Sequence, residues 1–433
     1  MENHSRQTVA APAYPQSITM AATQTEDEST LTSATLSAAN NFAARFSKLV
    51  KHEFADNFTP VYYVSIMGTG ISSNILYNFP YPAHWLRVCG NIMFGIAVVL
   101  LLTTTAMTIV SCSCHRERIR QYHADPTIAV FMGCYVMGYI TIINFIHSLV
   151  GHEHIIFVWV LWWIAIFLSV YTAFVIVFFS FMSKANQQFE PKNITATLLL
   201  PIVAITVVSS SGHMITPNLL TLQQKVITEL FSLMLWMISI ALAFIIIAIY
   251  FARLIIFKIP NTGLVFSSWL PVGFLGQSSY SIMLFGANMY QLIPDAYLGH
   301  SFLVTSALVS LFLLSFGYFM TFIAVCSILS KVKPFARKPN ESFMTKSGLM
   351  KWNKSWWAMT FPCGTMSLSN FEISKGIVGN YPLPFFKIMS CIFAICLFSI
   401  TIICLVGIVV YIYNCIKSLF VKRSEKSDAQ TMV

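Results

Sequence analysis

Residues 265–286 read VFSSWLPVGFLGQSSYSIMLFG, and the apolar run before them, residues 225–252, reads KVITELFSLMLWMISIALAFIIIAIYFA. Either is long enough to cross a hydrocarbon core of about 30 Å as a helix. They are built differently. The first is interrupted by Pro271, Gly273, Gly276 and a Gln-Ser-Ser cluster, whereas the second is nearly unbroken Leu, Ile, Phe and Met. The same contrast recurs along the chain, in spans near 61–78, 87–111, 127–150, 155–183, 196–213, 225–252, 265–286, 300–329, 355–371 and 386–416. The odd spans carry Pro, Gly and Ser; the even spans are plain. The first, fifth, seventh and ninth are the weakest by hydropathy for this reason. With 56% of 433 residues hydrophobic and 10% charged, these runs cannot hide inside one water-soluble globule. The expected fold is an all-α membrane protein of ten transmembrane helices.

Short connections at 79–86 and 151–154 pair successive spans as helical hairpins. Prolines inside spans occur only in odd ones, as Pro201, Pro271 and Pro362, and Pro-x-Gly recurs as Pro271-Val-Gly273 and Pro362-Cys-Gly364. A proline removes one backbone donor and leaves the carbonyl one turn earlier unpaired, which hydrocarbon tolerates only beside a wet cavity or another partner. Any single glycine also serves close helix packing. The concentration in alternate spans predicts kinked odd helices lining a central pore, with the even helices as an outer ring.

Lys and Arg set the orientation, because cytoplasmic loops retain positive charge. The amino tail, Arg116 to Arg120, Lys184, Lys192, Arg253, Lys258, the seven basic residues from Lys331 to Lys354 and the carboxyl tail share one face. Both termini are therefore predicted to be cytoplasmic: a disordered tail over 1–53, a transport domain over 54–417 and a tail over 418–433. The sequons at Asn3, Asn57, Asn193, Asn340 and Asn353 fall on the same inner face and are expected to stay unmodified. The net charge of +10 reads as topology and contact with anionic lipid, not as nucleic-acid binding. Most of the ten cysteines lie inside spans and imply no disulfide framework; Cys112 and Cys114 mark a membrane boundary suited to acylation.

The candidate path residues are Gly68, Thr69, Gly70, Ser72 and Ser73 in the first span and Gly133 and Asn144 in the third. Pro201 and Ser209 in the fifth, Gly273, Gln277 and Ser278 in the seventh, and Pro362, Gly364 and Thr365 in the ninth complete the set. No Asp, Glu, Lys or Arg falls within an odd span as bounded above, which argues against a proton relay. Hydroxyls, amides and exposed backbone N–H groups would stabilise an anion without trapping it. Glu229 is expected at the interface or paired with Lys225. His84, His147, His152, His154, His213 and His300 are expected at the outer face as interfacial residues. The His152-Glu153-His154 turn points its ligands apart and predicts no metal site. No cofactor is implied, and neither a nucleophile–base pair nor a phosphate loop suggests an enzyme.

The stretch FTPVYYVSIMGTGISSNILYNFPY at 58–81, HADPT at 123–127, WLPVGFLGQSSYS at 269–281 and WWAMTFPCGTMSLSN at 356–370 resemble the fungal sulfite efflux pumps of the tellurite-resistance/dicarboxylate transporter family. The resemblance covers about residues 54–417. It implies five hairpins around a pore, as in bacterial TehA and the plant guard-cell slow anion channel, often as a homotrimer, exporting sulfite at the plasma membrane. In those relatives a phenylalanine of the ninth helix plugs the pore, and the motif W-x-x-T-F-P places the corresponding gate at Phe361. Two other cargoes fit the family. One is malate with proton coupling, although no cation in an odd span would hold two carboxylates; the other is nitrate or chloride.

Overall fold

The computed structural model describes residues 56–183, 190–261, 263–332, 352–376 and 383–430, with residues 44, 47, 48, 51 and 52. Most of the expected tail 1–53 and of the basic loop 330–354 lies outside the described residues. Among those described there is no strand. The long helices are α1 (Tyr63–Tyr77), α2 (His84–Cys114), α3 (Met132–Val150), α4 (Ile155–Val170), α5 (Leu200–Ile215), α6 (Leu222–Phe257), α7 (Leu270–Leu292), α8 (Ala296–Leu329), α9 (Thr360–Ser374) and α10 (Pro384–Gln430). A π-helical stretch prolongs α4 through Met182.

Seven segments are long and apolar enough to cross a membrane: α2, α4 with its extension, α6, α8, α10 up to Lys417, and Ala129–Val150 and Ala196–Asn218, which contain α3 and α5. Helices α1 and α9 have only 15 residues each, and α7 is rich in Gly, Ser and Gln. The odd helices are the buried ones. In the most apolar window of Ala196–Asn218, 89% of residues are buried, against 22% in that of Leu222–Phe257. The even helices instead expose large apolar side chains such as Met234, Met237 and Ile245 of α6 and Phe312 and Phe322 of α8. So much exposed apolar surface is a lipid-facing pattern.

Packing follows the same division. Each odd helix packs against its even successor, and α1, α3, α5, α7 and α9 pack each on the next, with α9 closing on α1. Small residues set the seams. A Cβ on Gly133 would stand 2.5 Å from the Leu200 carbonyl oxygen, one on Gly276 2.9 Å from the Met366 nitrogen, and one on Gly364 2.6 Å from Ile71 Cδ1. Hydroxyls along the seams are folded back onto their own helices: Ser72 donates to the Gly68 carbonyl, Ser73 to Gly70 and Thr141 to Gly138.

The prolines do not kink helix interiors as expected. Every odd helix opens with a 3₁₀ turn, at Pro60–Tyr62, Ala129–Phe131, Ala196–Leu199, Val265–Trp269 and Lys354–Met359. Pro201 and Pro271 stand in the first turn of the α-helix that follows, and Pro362 is the third residue of α9. A missing N–H costs little there. At Pro201 and Pro271 the carbonyl expected to be orphaned is also paired, because Leu200 N–H donates to Thr197 and Leu270 N–H to Ser267. The tighter 3₁₀ bond reaches the carbonyl that the proline cannot.

Two alanine substitutions separate seam glycines from idle ones. Gly133→Ala forces Cβ against backbone and is expected to lower stability by about 1–3 kcal/mol. Gly95→Ala, with nothing within 4 Å of the new Cβ, is expected to raise it by roughly 0.5–1 kcal/mol through helix propensity. Thermal unfolding in detergent micelles reads both.

Candidate functional site

A cavity of about 460 Å³ lies inside the ring of odd helices. Its wall takes Ile71 and Asn74 from α1, Thr141, Asn144, His147 and Ser148 from α3, and Val207 and Met214 from α5. Gln277, Tyr280 and Leu284 come from α7, and Phe361, Leu368, Phe371 and Glu372 from α9. Asn78, Gly151, Asn218 and Lys375, just past the ends of these helices, also line it; among the described residues no even helix contributes. On each helix the wall is one stripe at helical spacing, as in Gln277, Tyr280 and Leu284, so a single face of each helix looks inward.

Phe361 sits in the first turn of α9 and is 3% exposed. The other lining residues lie further along their helices, and the rim is made where the odd helices end, with Asn78 and Lys375 exposed. The cavity is therefore open at the ends of the odd helices and closed toward their beginnings, with Phe361 at the closed end.

Most wall polar groups are already engaged. Asn74 Nδ2 donates to the carbonyls of Gly70 and Thr141, and Ser148 to that of Asn144. Asn144 Oδ1 accepts from Ser211, and Gln277 Nε2 donates to Ser210 Oγ. Among the described residues the Asn144 amide nitrogen and the Tyr280 hydroxyl have no hydrogen-bond partner, which leaves them as donors toward the cavity. The charges on the wall are Glu372 and Lys375, joined at 2.7 Å. The ninth span as bounded from the sequence ends at 371. Because α9 runs to Ser374, a carboxylate does face the cavity, neutralised by a lysine one turn on.

Of the expected path residues, Asn144, Gln277 and Phe361 line the cavity. Gly68, Gly70, Gly133, Gly273 and Gly364 lie at seams, against Thr360, Thr141, Leu200, Pro362 and Ile71 respectively. Pro201 and Pro362 are the seam partners of Gly133 and Gly273, and Thr365 packs on Gly276 while donating to the Pro362 carbonyl. Thr69, Ser72 and Ser73 bond back to α1. Ser209 donates to the Ser232 carbonyl of α6, and the Ser278 carbonyl accepts from Trp236. His147, expected at the outer face, belongs to the wall, and Tyr280 and Glu372 were not singled out in the sequence; the helical phase of Asn144 and Gln277 leads to His147, Ser148 and Tyr280.

Glu229 is not interfacial and does not pair with Lys225. It is buried, with Oε2 2.6 Å from His213 Nδ1 and Oε1 accepting from Asn288 Nδ2 at 2.6 Å. Asn288 also donates to the His213 carbonyl. This network ties α5, α6 and α7 together and moves His213 from the expected outer surface into the interior. His147 is likewise buried, with Nε2 2.8 Å from Asn218 Nδ2. Among the described residues no group of three His, Cys, Asp or Glu could hold a metal ion.

A buried all-helical ring around a largely neutral cavity defines a class of membrane transport protein, and the chain belongs to the voltage-dependent anion channel family, whose profile matches residues 57–409. Among curated proteins it is 54% identical to the sulfite efflux pump SSU1 of Candida albicans, over 85% of this chain and 77% of that protein. It is 31% identical to the sulfite efflux pump SSU1 of Saccharomyces cerevisiae, over 80% of this chain and 86% of that one. A third, from Trichophyton rubrum, is 29% identical over 84% of this chain and 92% of its own length.

Glu229→Ala would leave His213 Nδ1 without its partner and take from the Asn288 amide one of its two acceptors, at about 1–3 kcal/mol per buried group left unpaired. A lowered unfolding midpoint in detergent is expected, with Glu229→Gln less affected because it keeps an acceptor for Asn288. Equal stability of all three proteins would mean that the network does not hold the helices.

Proposed function

We propose that this chain exports sulfite or bisulfite across the plasma membrane, along the axis of the odd-helix ring, with Phe361 as the gate. In this reading all ten helices cross the bilayer as five hairpins, both termini are cytoplasmic and the cavity opens outward. Three copies assemble, as the family resemblance implies. The carrying observation is that, among the described residues, the cavity wall draws on all five odd helices and on no even one. The relatives named as sulfite efflux pumps supply the cargo.

The wall suits a small anion. It offers amide and hydroxyl donors from Asn144 and Tyr280, and a lysine at the rim whose charge Glu372 offsets. Such donors hold an anion weakly enough to release it. They discriminate poorly among small anions, so nitrate and chloride are expected to pass as well. An inside-negative potential drives exit, at about 2.3 kcal/mol per charge per 100 mV. One observation favours a second reading, a proton-coupled carrier of malate or sulfite: the buried His213–Glu229 pair provides a protonatable group next to the ring.

Proteoliposomes loaded with sulfite, nitrate, chloride or malate, at clamped potential and without a pH gradient, distinguish the two. Sulfite efflux that follows the potential is expected; flux that needs a proton gradient, or malate alone, overturns the channel-like mechanism. In the same vesicles Phe361→Ala is expected to raise anion flux roughly tenfold, the effect of removing about 1.4 kcal/mol of barrier. Unchanged flux in correctly inserted protein would remove Phe361 from the gate.

A further inference from the structure

Away from the central cavity, α2 and α10 part and leave a second cleft of about 430 Å³ that reaches through the outer layer to the start of α1. Its wall is apolar, with Met107 of α2, Ile408 and Ile412 of α10, and Trp357 at the back. Of its hydroxyls, Ser65 is spent on the Tyr62 carbonyl and Thr104 on that of Leu100, while Thr103 is exposed. A free inorganic anion finds few donors along such a wall.

Among the described residues one cation lines the cleft. Lys354 Nζ lies 4.2 Å from the centroid of the Tyr62 ring and 5.3 Å from that of Tyr411, and it donates to the Tyr62 hydroxyl. No described carboxylate forms an ion pair with it. Lys417, exposed, follows Ile416 of the wall by one residue. Aromatic faces hold an ammonium in place without neutralising it. An apolar slot with an unneutralised, positioned cation matches an amphiphile with an anionic head.

We propose that this cleft binds an anionic phospholipid of the inner leaflet, its headgroup on Lys354 and an acyl chain against Trp357. The leaflet assignment rests on the topology proposed above, which puts the start of α1 on the cytoplasmic side. The site backs directly onto the gate turn. Trp357 precedes Phe361 by one turn, Thr360 donates to its carbonyl at 2.8 Å, and a Cβ on Gly68 would meet its ring at 2.9 Å. A chain wedged against Trp357 supports the 3₁₀ turn that carries Phe361, so occupancy of the cleft bears on gating.

The full-length protein, incubated in mixed micelles with equal mole fractions of phosphatidylserine and phosphatidylcholine, is examined by native mass spectrometry. This readout does not depend on which anion is transported, so the failure of sulfite export would leave it intact. Preferential retention of phosphatidylserine is expected, and Lys354→Gln should reduce that preference roughly fivefold, the worth of one lysine facing anionic lipid. Thr103→Trp, at an exposed wall position, should fill the slot and abolish retention of either lipid while Tm stays unchanged. Water-soluble glycerophosphoserine should fail to compete. Equal retention of the two lipids, an undiminished preference in Lys354→Gln, retention surviving Thr103→Trp, or effective competition by the soluble headgroup would each overturn the proposal. So would crosslinking that shows a second copy of the chain seated in the cleft.

Discussion

The close approach of neighbouring backbones inside the ring governs the rest of this structure. In lipid, apolar burial gives helices little reason to associate, because the surrounding chains are as apolar as leucine. Association depends on van der Waals contact and internal hydrogen bonds. Gly133 lies against the Leu200 carbonyl and Pro201, and Gly276 against the Thr365–Met366 backbone. No side chain intervenes. The cavity is the space that remains along the axis once those seams are closed.

The same constraint accounts for the 3₁₀ turns that open α5 and α7. Proline near a helix start removes a donor where one is least missed, and the i to i−3 bond from the preceding residue takes up the freed carbonyl at Thr197 and Ser267. The backbone stays satisfied without water, as a hydrocarbon setting requires. Phe361 occupies the junction between the Lys354–Met359 turn and α9, where a bulky ring can close the narrow end of the cavity.

Among the described residues the carboxylates at and beside the cavity are partnered. Glu372 has Lys375, and Glu229 has His213 and Asn288. An uncompensated carboxylate beside an anion route would repel the cargo, and a buried one would carry a heavy desolvation cost. Both pairs also bear on mechanism, because they place carboxylates within and beside the ring of odd helices, whose spans as bounded from the sequence held none.

Composition and period along the chain were enough to establish an all-helical membrane protein, to place the long helices to within a few residues at most of their ends, and to separate the buried helices from the exposed ones. These are local properties, set by how much apolar surface each stretch offers. The motifs around Met67–Asn74 and Trp356–Asn370 carried the family as well. Which residues face the axis was legible only in part, at Asn144, Gln277 and Phe361. Thr69, Ser72 and Ser73 share a polar segment with Asn74, yet only Asn74 reaches the wall, because the seams at Gly68 and Gly70 set the rotation of α1. Likewise His213, Glu229 and Asn288 belong to three different helices, and nothing in their separate surroundings announces that they meet. Helix rotation and long-range pairing are decided by contacts between helices, so only the tertiary structure could decide them.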